Sequence, residues 1–519
     1  MTKTKPVHFS NVFKISAFAT SILIILALIF PEYLTKITGD MRSFLGTHFG
    51  WFYLLIATIV VGVCIYFILS PLGKIRLGES GDKPEYSTTT WLAMLFSAGM
   101  GIGLVFYGAA EPLSHYAISA PDSQVLSAKA LEDSLKYSFF HYGIHAWAIY
   151  AIVALALAYF QFRKKEKTLV SVTLKPLLGN RAKGAIGTSI DCLTIIATTI
   201  GVATTLGFGA TQINGGLNYL FGIPEDFIVQ LIIILIASVL FIWSAVSGID
   251  KGISIISNLN ILISVILMTV IILMGPTVKI MNSTLESIGV YINNFITLSF
   301  RTEAFNPSGQ AWIQKWTIMY WAWWISWSPF VGIFIARISK GRTIREFLVY
   351  VLLIPTIFSC LWFAVFGVLS TDAVQIDPSL TALPTEKILF GVFHHYPMGL
   401  ILSIVAIILV FSFFITSANS ATVVLAMESE NGSLKPKKST KLVWGCLLSL
   451  ISIALLLAGG LDALQNIMII IAFPFAFIII LIVISLMKEL HYEQKKMGLY
   501  IKPNHLPKKD EPFKSYEEE

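Results

Sequence analysis

The sequence predicts an all-α polytopic membrane protein, and both its composition and its hydrophobic pattern support this fold class. Of the 519 residues, 55% are hydrophobic and 13% are charged, whereas a soluble protein has about a quarter charged residues. The mean hydropathy is +0.76. The apolar residues gather into long runs, and a helix needs about 20 such residues to cross a bilayer. Twelve transmembrane helices are predicted, at roughly 11–33, 50–70, 88–112, 133–161, 185–213, 226–248, 253–275, 311–337, 344–370, 398–427, 439–460 and 464–488.

The basic residues predict the orientation of these helices. Of the 37 Lys and Arg residues, 29 fall in the two tails and in the loops on the same side, and eight fall on the opposite side. Cytoplasmic loops carry such an excess of basic residues, so both termini are predicted to be cytoplasmic in a multi-pass protein of the cell (plasma) membrane. The basic residues form short clusters between the apolar runs, and we therefore expect no nucleic-acid partner.

Two segments between the predicted spans are too polar to cross the membrane. Residues 282–300 place their apolar side chains at helical spacing, which predicts an interfacial helix on the outer side. The segment 379–395 has the same character. The C-terminal tail mixes Lys pairs with a closing run of Glu, and both a solvated tail and a membrane-surface sensor are compatible with it.

The third predicted helix carries Gly99, Gly101 and Gly103. A GxxxG spacing serves close helix packing, but Gly101 points to a different face and serves no single seam. Each glycine also weakens a helix by roughly 1 kcal/mol relative to alanine. The pattern therefore predicts a helix broken inside the membrane, where free carbonyls can bind a cation and free amides an anionic group.

Tryptophans run through the eighth predicted helix from Trp316 to Trp327. That distance covers about 16 Å of helix, which is deeper than an interfacial aromatic belt extends. Tyr142, Trp147 and Tyr150 on the fourth helix can line a facing wall. Aromatic rings from two helices form a box for a cation without hydrogen-bond donors, such as trimethylammonium. Pro329 predicts a second helix break.

Thr416 and Ser417 on the tenth predicted helix allow two interpretations. Helix hydroxyls are commonly bonded back to their own backbone. Together with a broken third helix, they are also suitable hard oxygen ligands for sodium.

Enzyme classes find little support in the residues. His141 and His145 stand four apart and could share a metal, but no second cluster resembles them, which disfavours a membrane oxidase. Asp191 and Asp133 are the buried acids that the pattern suggests. No nucleotide-binding loop is present in the sequence, so the energy for transport must come from an ion gradient.

Four blocks of this sequence, in order, resemble the betaine/carnitine/choline transporter family. The most specific is the tryptophan-rich run WTIMYWAWWISWSPFVGIFIARISKGRTIREF at 316–347. The others are AGMGIGLVFYGAAEP (98–112), GIDKGISIISNLN (248–260) and FFITSANSA (413–421). The chain departs from the signature at Lys315, where the family usually has Gly, Ser, Asp or Asn.

The resemblance implies two inverted five-helix repeats, formed by helices 3–7 and 8–12, with two extra N-terminal helices. It also implies a homotrimer that packs partly through the interfacial helix. The chain then divides into an N-terminal part (1–87), a first repeat (88–275), a linker with the outer helix (276–310), a second repeat (311–488) and a cytoplasmic tail (489–519).

The resemblance also implies a substrate site and sodium sites. The cage would consist of Tyr142, Trp147, Tyr150 and Trp324, with Trp323 and Trp327 along the pathway and open backbone at Met100, Gly101 and Gly103. One sodium would be bound by carbonyls of Ser97, Met100 and Phe413 and by the hydroxyls of Thr416 and Ser417. A second would involve Thr198 and the ring of Phe330, although an expected hydroxyl is replaced at Val202. Asn419 stands where relatives commonly have Asp.

The function implied is sodium-coupled uptake of glycine betaine for osmoprotection. Gly103 favours sodium coupling, because proton-coupled choline carriers of the family tend to have Asp at this position. Choline and carnitine are alternative substrates, since they share the trimethylammonium head. A channel or sensor with this fold is an alternative of another class, and it would lack saturable, sodium-dependent uptake.

Overall fold

The fold is all-α, as the sequence predicts. A computed structural model describes residues 9–79, 81–99, 101–248 and 250–496. The described residues form nineteen α-helices: α1 (Asn11–Ile29), α2 (Pro31–Leu69), α3 (Thr88–Gly99), α4 (Ile102–Leu113), α5 (Ala128–Tyr142), α6 (Ile144–Ala158), α7 (Val170–Thr173), α8 (Lys175–Leu178), α9 (Ala185–Phe221), α10 (Phe227–Ser247), α11 (Asp250–Met274), α12 (Thr277–Asn293), α13 (Phe295–Ser299), α14 (Pro307–Ile313), α15 (Met319–Ile338), α16 (Ile344–Ile376), α17 (Thr385–His394), α18 (Gly399–Ser429) and α19 (Lys438–Lys496).

Ten helical segments in the described part of the chain are long and apolar enough to cross a membrane. One of them is the 59-residue α19, which contains two of the predicted spans, and the 12-residue α3 and α4 are too short to be included. The protein is therefore a multi-pass membrane protein, while the count of twelve spans and their division into repeats stay predictions. The segments that contain α6, α9 and α15 are largely buried and form the centre of the bundle.

Residues 34–49, which lie between the first two predicted spans, are helical, although no helix is predicted there. This segment is the first part of α2, which begins at Pro31. Thr35 donates a hydrogen bond to the Ala458 carbonyl (2.9 Å), and Arg42 donates one to Asn466 Oδ1 (3.0 Å). These contacts with α19 hold the polar segment in a helix that its composition alone does not require.

The predicted break in the third span is confirmed. Helix α3 ends at Gly99 and α4 begins at Ile102, with Gly101 between them in an extended conformation (φ −166°, ψ 178°). Met100 lies outside the described residues. The backbone amides of the first turn of α4 have no intrahelical partners, as at any helix start.

A second break, at Gly143, was not predicted. It separates α5 from α6 within the predicted fourth span. A Cβ atom at this position would lie 2.3 Å from the Phe139 carbonyl oxygen, so this backbone arrangement leaves no room for a side chain at position 143. The Ile144 amide after the break donates a hydrogen bond to the Tyr291 hydroxyl of α12 (3.2 Å). The break lies between Tyr142 and Trp147.

The predicted break at Pro329 is wrong, because α15 continues through this residue to Ile338. Proline cannot donate a hydrogen bond to the carbonyl four residues before it, which here is that of Ile325. The Ser328 hydroxyl donates to this carbonyl at 2.8 Å. The vacant acceptor is satisfied locally, and the helix remains continuous.

The two polar segments between spans are helical. Residues 282–300 fall within α12 and α13, and α12 starts earlier than predicted, at Thr277. The segment 379–395 contains α17, whose apolar residues from Ile388 to Phe393 are buried. Gly216 of α9 approaches the Phe390 ring so closely that a Cβ atom there would lie 2.5 Å from it. Helix α17 therefore packs against the bundle and is not a second surface helix.

The last two predicted spans lie within α19, on the two sides of a kink. The kink lies at Gly459 and Gly460, at the end of the predicted eleventh span, and Gly460 has φ 61° and ψ −141°. The helix extends to Lys496, beyond the predicted start of the tail at 489. Glu493 in this extension accepts hydrogen bonds from Tyr159 and Arg163. The rest of the tail, 497–519, lies outside the described residues.

We expect Gly460→Ala to destabilise the protein. The backbone conformation of Gly460 is disfavoured for residues with a side chain and costs about 1–3 kcal/mol. The apparent melting temperature of the purified protein in detergent should fall. Gly62→Ala is the matched control, because a Cβ atom there meets nothing within 4 Å and alanine favours helix. An equal effect of both substitutions would contradict this account of the kink.

Candidate functional site

Most of the predicted substrate residues surround one cavity of about 520 Å³. The predicted residues that line it are Tyr142, Trp147, Tyr150, Trp323, Trp324, Trp327, Gly101 and Gly103. The sequence analysis did not identify five further lining residues: Ile102, Leu104, Ala146, Thr205 and Ser359. The cavity therefore lies between the start of α4, the α5–α6 break, and helices α9, α15 and α16.

The rings of the predicted cage contact one another as a chain. Tyr142 meets Trp324 edge to face, with ring centroids 5.1 Å apart. On the other side, Tyr150 meets Trp324 at 6.0 Å and Trp147 at 5.5 Å, again edge to face. Trp323 stacks on Trp324 at 5.1 Å. This arrangement turns several aromatic faces toward one small volume, as a cation without hydrogen-bond donors requires.

The cage adjoins the helix break directly. The Tyr142 hydroxyl donates a hydrogen bond to the Gly103 carbonyl at 3.2 Å. A Cβ atom on Gly103 would lie 2.9 Å from Trp323 Cη2, whereas one on Gly101 would meet no described atom within 4 Å. Gly103 is thus needed for close approach of the α15 indole, and Gly101 lies at the open side of the cavity.

The indole nitrogens of α15 differ in their partners. Trp323 Nε1 donates to Thr205 Oγ1 (3.0 Å), and Trp324 Nε1 donates to the His141 carbonyl (2.9 Å). Trp327 Nε1 is buried and has no hydrogen-bond partner among the described residues. Thr205 could not be singled out from the sequence, because α9 carries several threonines and nothing in their spacing distinguishes this one.

A second cavity, of about 630 Å³, begins on the other side of Trp327, which lines both. The residues around it are Ser257, Asn260, Trp327, Phe330, Val331, Phe334, Phe413, Thr416, Ser417 and Ser420. Three of them are predicted sodium ligands on α18. Trp327 meets Phe330 edge to face at 5.4 Å, so two rings separate the cavities.

The predicted first sodium site is partly visible. The Thr416 hydroxyl donates to the carbonyls of Ser412 (3.1 Å) and Phe413 (3.3 Å) of its own helix, which corresponds to the back-bonded interpretation. Ser417 lies beside it at the cavity wall. Ser97 is close to the end of α3, and Met100 lies outside the described residues. The structure therefore brings together only the α18 half of this set in the described part of the chain.

The residues of the predicted second sodium site lie on α9 and α15. Thr198 Oγ1 is fully buried and has no partner in the described part of the chain. Val202, one turn later, is also fully buried and offers no oxygen. Asn419 is buried and donates to the Phe241 carbonyl at 3.3 Å, so it holds α10 and α18 together.

The buried polar residues beside the cage include an acid that the sequence analysis missed. Glu111 is fully buried and Glu428 is almost fully buried, whereas the sequence pattern suggested only Asp191 and Asp133 as buried acids. Asp133 pairs with Lys136 (2.8 Å), and Asp191 accepts hydrogen bonds from Ser171.

His141 and His145 do not face a shared ligand. His141 contacts Glu111 through Nδ1 (2.6 Å) and Thr317 through Nε2 (2.9 Å). His145 instead contacts Ser299 at 2.9 Å. The potential ligand atoms that do come together belong to Glu111, His115 and His141, within 4.8 Å of one another.

The sequence matches known transporters over nearly its full length. The model of the family described as BCCT, betaine/carnitine/choline family transporter, matches residues 11–495. A glycine betaine transporter of Bacillus subtilis, OpuD, is 53% identical over 94% of this chain and 96% of its own length. An ectoine/hydroxyectoine transporter of Virgibacillus pantothenticus is 41% identical over 93% of this chain and 97% of its own. A glycine betaine transporter of Acinetobacter baylyi is 40% identical over 94% and 74%, respectively.

We expect Gly103→Ala to impair the cavity more than Gly101→Ala. The methyl group at position 103 must displace Trp323, and such overpacking costs about 1–3 kcal/mol. Glycine betaine, the substrate named for two of these relatives, serves as the probe in tryptophan-fluorescence titrations of the purified protein. Its dissociation constant should rise about tenfold in Gly103→Ala. A loss of equal size in Gly101→Ala would contradict the steric explanation.

Proposed function

The chain belongs to the betaine/carnitine/choline transporter family, and on this premise we propose that it takes up glycine betaine together with sodium. The observation that carries the proposal is the junction of an aromatic cage with a broken helix. Tyr142 belongs to the cage and also bonds to the Gly103 carbonyl beside the break (3.2 Å). A ligand with a cation and an anion a few bonds apart suits this junction.

The cage suits the trimethylammonium end of the ligand. This group cannot donate hydrogen bonds, so it gains little from hydroxyls or carboxylates by direct bonding and is stabilised by aromatic faces. Each ring contributes about 0.5–2 kcal/mol. The indole N–H groups of Trp323 and Trp324 are already bonded to protein oxygens, so the aromatic rings and not the N–H groups would meet the cation.

The start of α4 suits the carboxylate end. Gly101 and Ile102, which line the cavity, are the N-cap and the first residue of the 12-residue helix α4, whose N-cap makes no side-chain hydrogen bond. Free amides and the positive end of the helix dipole stabilise an anion at such a position. Extended backbone at Gly101 leaves this end open toward the cage. A zwitterion would thus be oriented with its carboxylate toward α4 and its ammonium toward α15.

We infer that a first sodium binds between α18 and the end of α3. Phe413, Thr416 and Ser417 line the second cavity and supply a carbonyl and two hydroxyls. The back-bonded Thr416 hydroxyl can keep its hydrogen bond to Ser412 while an oxygen lone pair binds the ion. Carbonyls of Ser97 and Met100 complete the proposed set.

A second sodium site on α9 and α15 is supported by the register of the two helices. Trp323 contacts Thr205, and a Cβ atom on Gly201 would lie 2.8 Å from Trp327, so the helices are antiparallel here. From this register we infer that Thr198 lies near Phe330, one turn further along each helix. The unpartnered, buried Thr198 hydroxyl is free to bind an ion. Val202 removes one ligand, which favours a weaker site than the first.

The charge pattern and the family support a proposal for the location, orientation and assembly of the protein. Uptake would take place in the plasma membrane, with both termini in the cytoplasm. The assembly would be a homotrimer, in which the amphipathic α12 lies at the outer surface between protomers. Accumulating a zwitterionic osmolyte, which has no net charge, would serve osmoprotection.

Competing substrates share parts of the same chemistry. Choline has the ammonium group without the carboxylate, and carnitine has both groups further apart. Ectoine is a candidate substrate because the Virgibacillus pantothenticus relative, 41% identical, is named for it. The more similar Bacillus subtilis relative, 53% identical, is named for glycine betaine. The single helix start beside a compact cage favours a short zwitterion over choline and carnitine.

The proposal predicts saturable, sodium-dependent uptake of labelled glycine betaine into proteoliposomes. An inward sodium gradient should drive uptake, and a potassium gradient of equal size should not. Unlabelled glycine betaine should compete more strongly than choline, carnitine or ectoine. Stronger competition by one of these would reassign the substrate, and a flux that neither saturates nor needs sodium would favour the channel hypothesis.

The double variant Thr416→Ala with Ser417→Ala tests the first sodium site. Loss of both hydroxyls leaves the ion with carbonyls only, so the sodium concentration for half-maximal uptake should rise severalfold. Binding of betaine at saturating sodium should persist. Thr422→Ala is the control, because this hydroxyl of α18 is bonded back to Ala418 and lines neither cavity. An unchanged sodium dependence in the double variant would refute the assignment.

A further inference from the structure

Glu111 lies at the centre of a buried hydrogen-bond network next to the cage. Its carboxylate contacts the Tyr320 hydroxyl at 2.5 Å, His141 Nδ1 at 2.6 Å and His115 Nε2 at 3.2 Å. All four side chains are fully buried. The network joins α4, α5 and α15 and the turn that follows α4. These are the elements that carry most of the cavity wall.

We propose that Glu111 is a positioning residue that fixes Tyr142 and Trp324 of the cage in the arrangement that binds the trimethylammonium group. This inference rests on the proposed function, because it concerns the same substrate and the same cage. Glu111 itself does not line the cavity. It acts through His141 and Tyr320, and the two routes can be followed atom by atom.

The first route passes through His141. Glu111 and Thr317 engage both nitrogens of this ring, so its position and that of its backbone are fixed. The His141 carbonyl accepts the hydrogen bond from Trp324 Nε1 at 2.9 Å. Tyr142 is the next residue in the chain and the last before the Gly143 break. A shift of His141 would therefore move two cage rings together.

The second route passes through the Tyr320 ring. This ring stacks on Trp324 with centroids 5.8 Å apart and meets Tyr142 edge to face at 5.1 Å. Its hydroxyl is held by Glu111, which fixes the plane of the ring. Tyr320 thus forms a backing for both cage residues.

The chemistry of the site requires a carboxylate at position 111. Three donors converge on two oxygens, which are acceptors in an ionised carboxylate. An amide of the same shape would place its NH₂ group against at least one donor, and an unpaired buried group is costly.

The test uses Glu111→Gln in the full-length protein. Tryptophan-fluorescence titration should show a dissociation constant for glycine betaine about tenfold higher than that of the unmodified protein. In proteoliposomes the apparent KM should rise by a similar factor, with a smaller change in the maximal rate, because a positioning residue acts on the bound cage. Addition of a chelator should change neither value.

A second variant separates the two routes. Tyr320→Phe keeps the ring and removes only the hydroxyl that Glu111 holds, and it should weaken binding severalfold. Adding Tyr320→Phe to Glu111→Gln should weaken binding by less than the product of the separate effects, since both remove the same contact. If Glu111→Gln does not fold, Tyr320→Phe alone decides by its effect on KM.

Ser299→Ala is the matched control. It removes a buried hydrogen bond to His145, one turn from His141, and this pair lies outside the cage. A similar rise in KM for the control and the Glu111 variant would mean that both act through general stability, which would overturn the proposal. An unchanged dissociation constant in Glu111→Gln would overturn it too. If the unmodified protein binds no glycine betaine, it is the proposed function that fails.

Discussion

The constraint on which the rest of the structure depends is that backbone amides and carbonyls in a membrane protein need hydrogen-bond partners. Two helices are interrupted beside the cavity, at Gly101 and at Gly143, and both interruptions expose such groups. Tyrosine hydroxyls compensate at both places: Tyr291 accepts from the Ile144 amide, and Tyr142 donates to the Gly103 carbonyl. The open backbone that an anionic ligand group can use is thus available at the start of α4, beside the aromatic cavity.

The cage depends on these breaks. Tyr142 precedes the Gly143 break, and Trp147 and Tyr150 follow it. Tyr142 and Tyr150 both meet Trp324 edge to face, and Trp147 meets Tyr150 in the same way. The indoles of α15 in turn fit only because Gly103 has no side chain. Buried polar groups then fix the rings, since Thr205 and the His141 carbonyl each accept one indole N–H.

Much of this arrangement could be predicted from the sequence, where local patterns decide the outcome. Hydrophobic runs gave the helical fold, and three glycines in five residues gave the break before α4. Other features depend on tertiary partners that no local pattern contains. Pro329 predicted a break because proline leaves the Ile325 carbonyl without its usual helical donor. The Ser328 hydroxyl donates to this carbonyl instead, but the sequence does not show which rotamer Ser328 adopts. Glu111 was overlooked because two of its three partners, His141 and Tyr320, lie 30 and 209 residues away along the chain.

The relation between the two cavities gives coupling a physical basis. Trp327 lines both, so the substrate and the proposed first ion site are separated by one indole and the neighbouring Phe330 ring. The Trp327 N–H lacks a partner among the described residues, unlike those of Trp323 and Trp324. This ring is therefore less firmly held than the cage itself. An ion that orders α18 beside Trp327 would bias its position, and by linkage a bound substrate would bias ion affinity to the same extent.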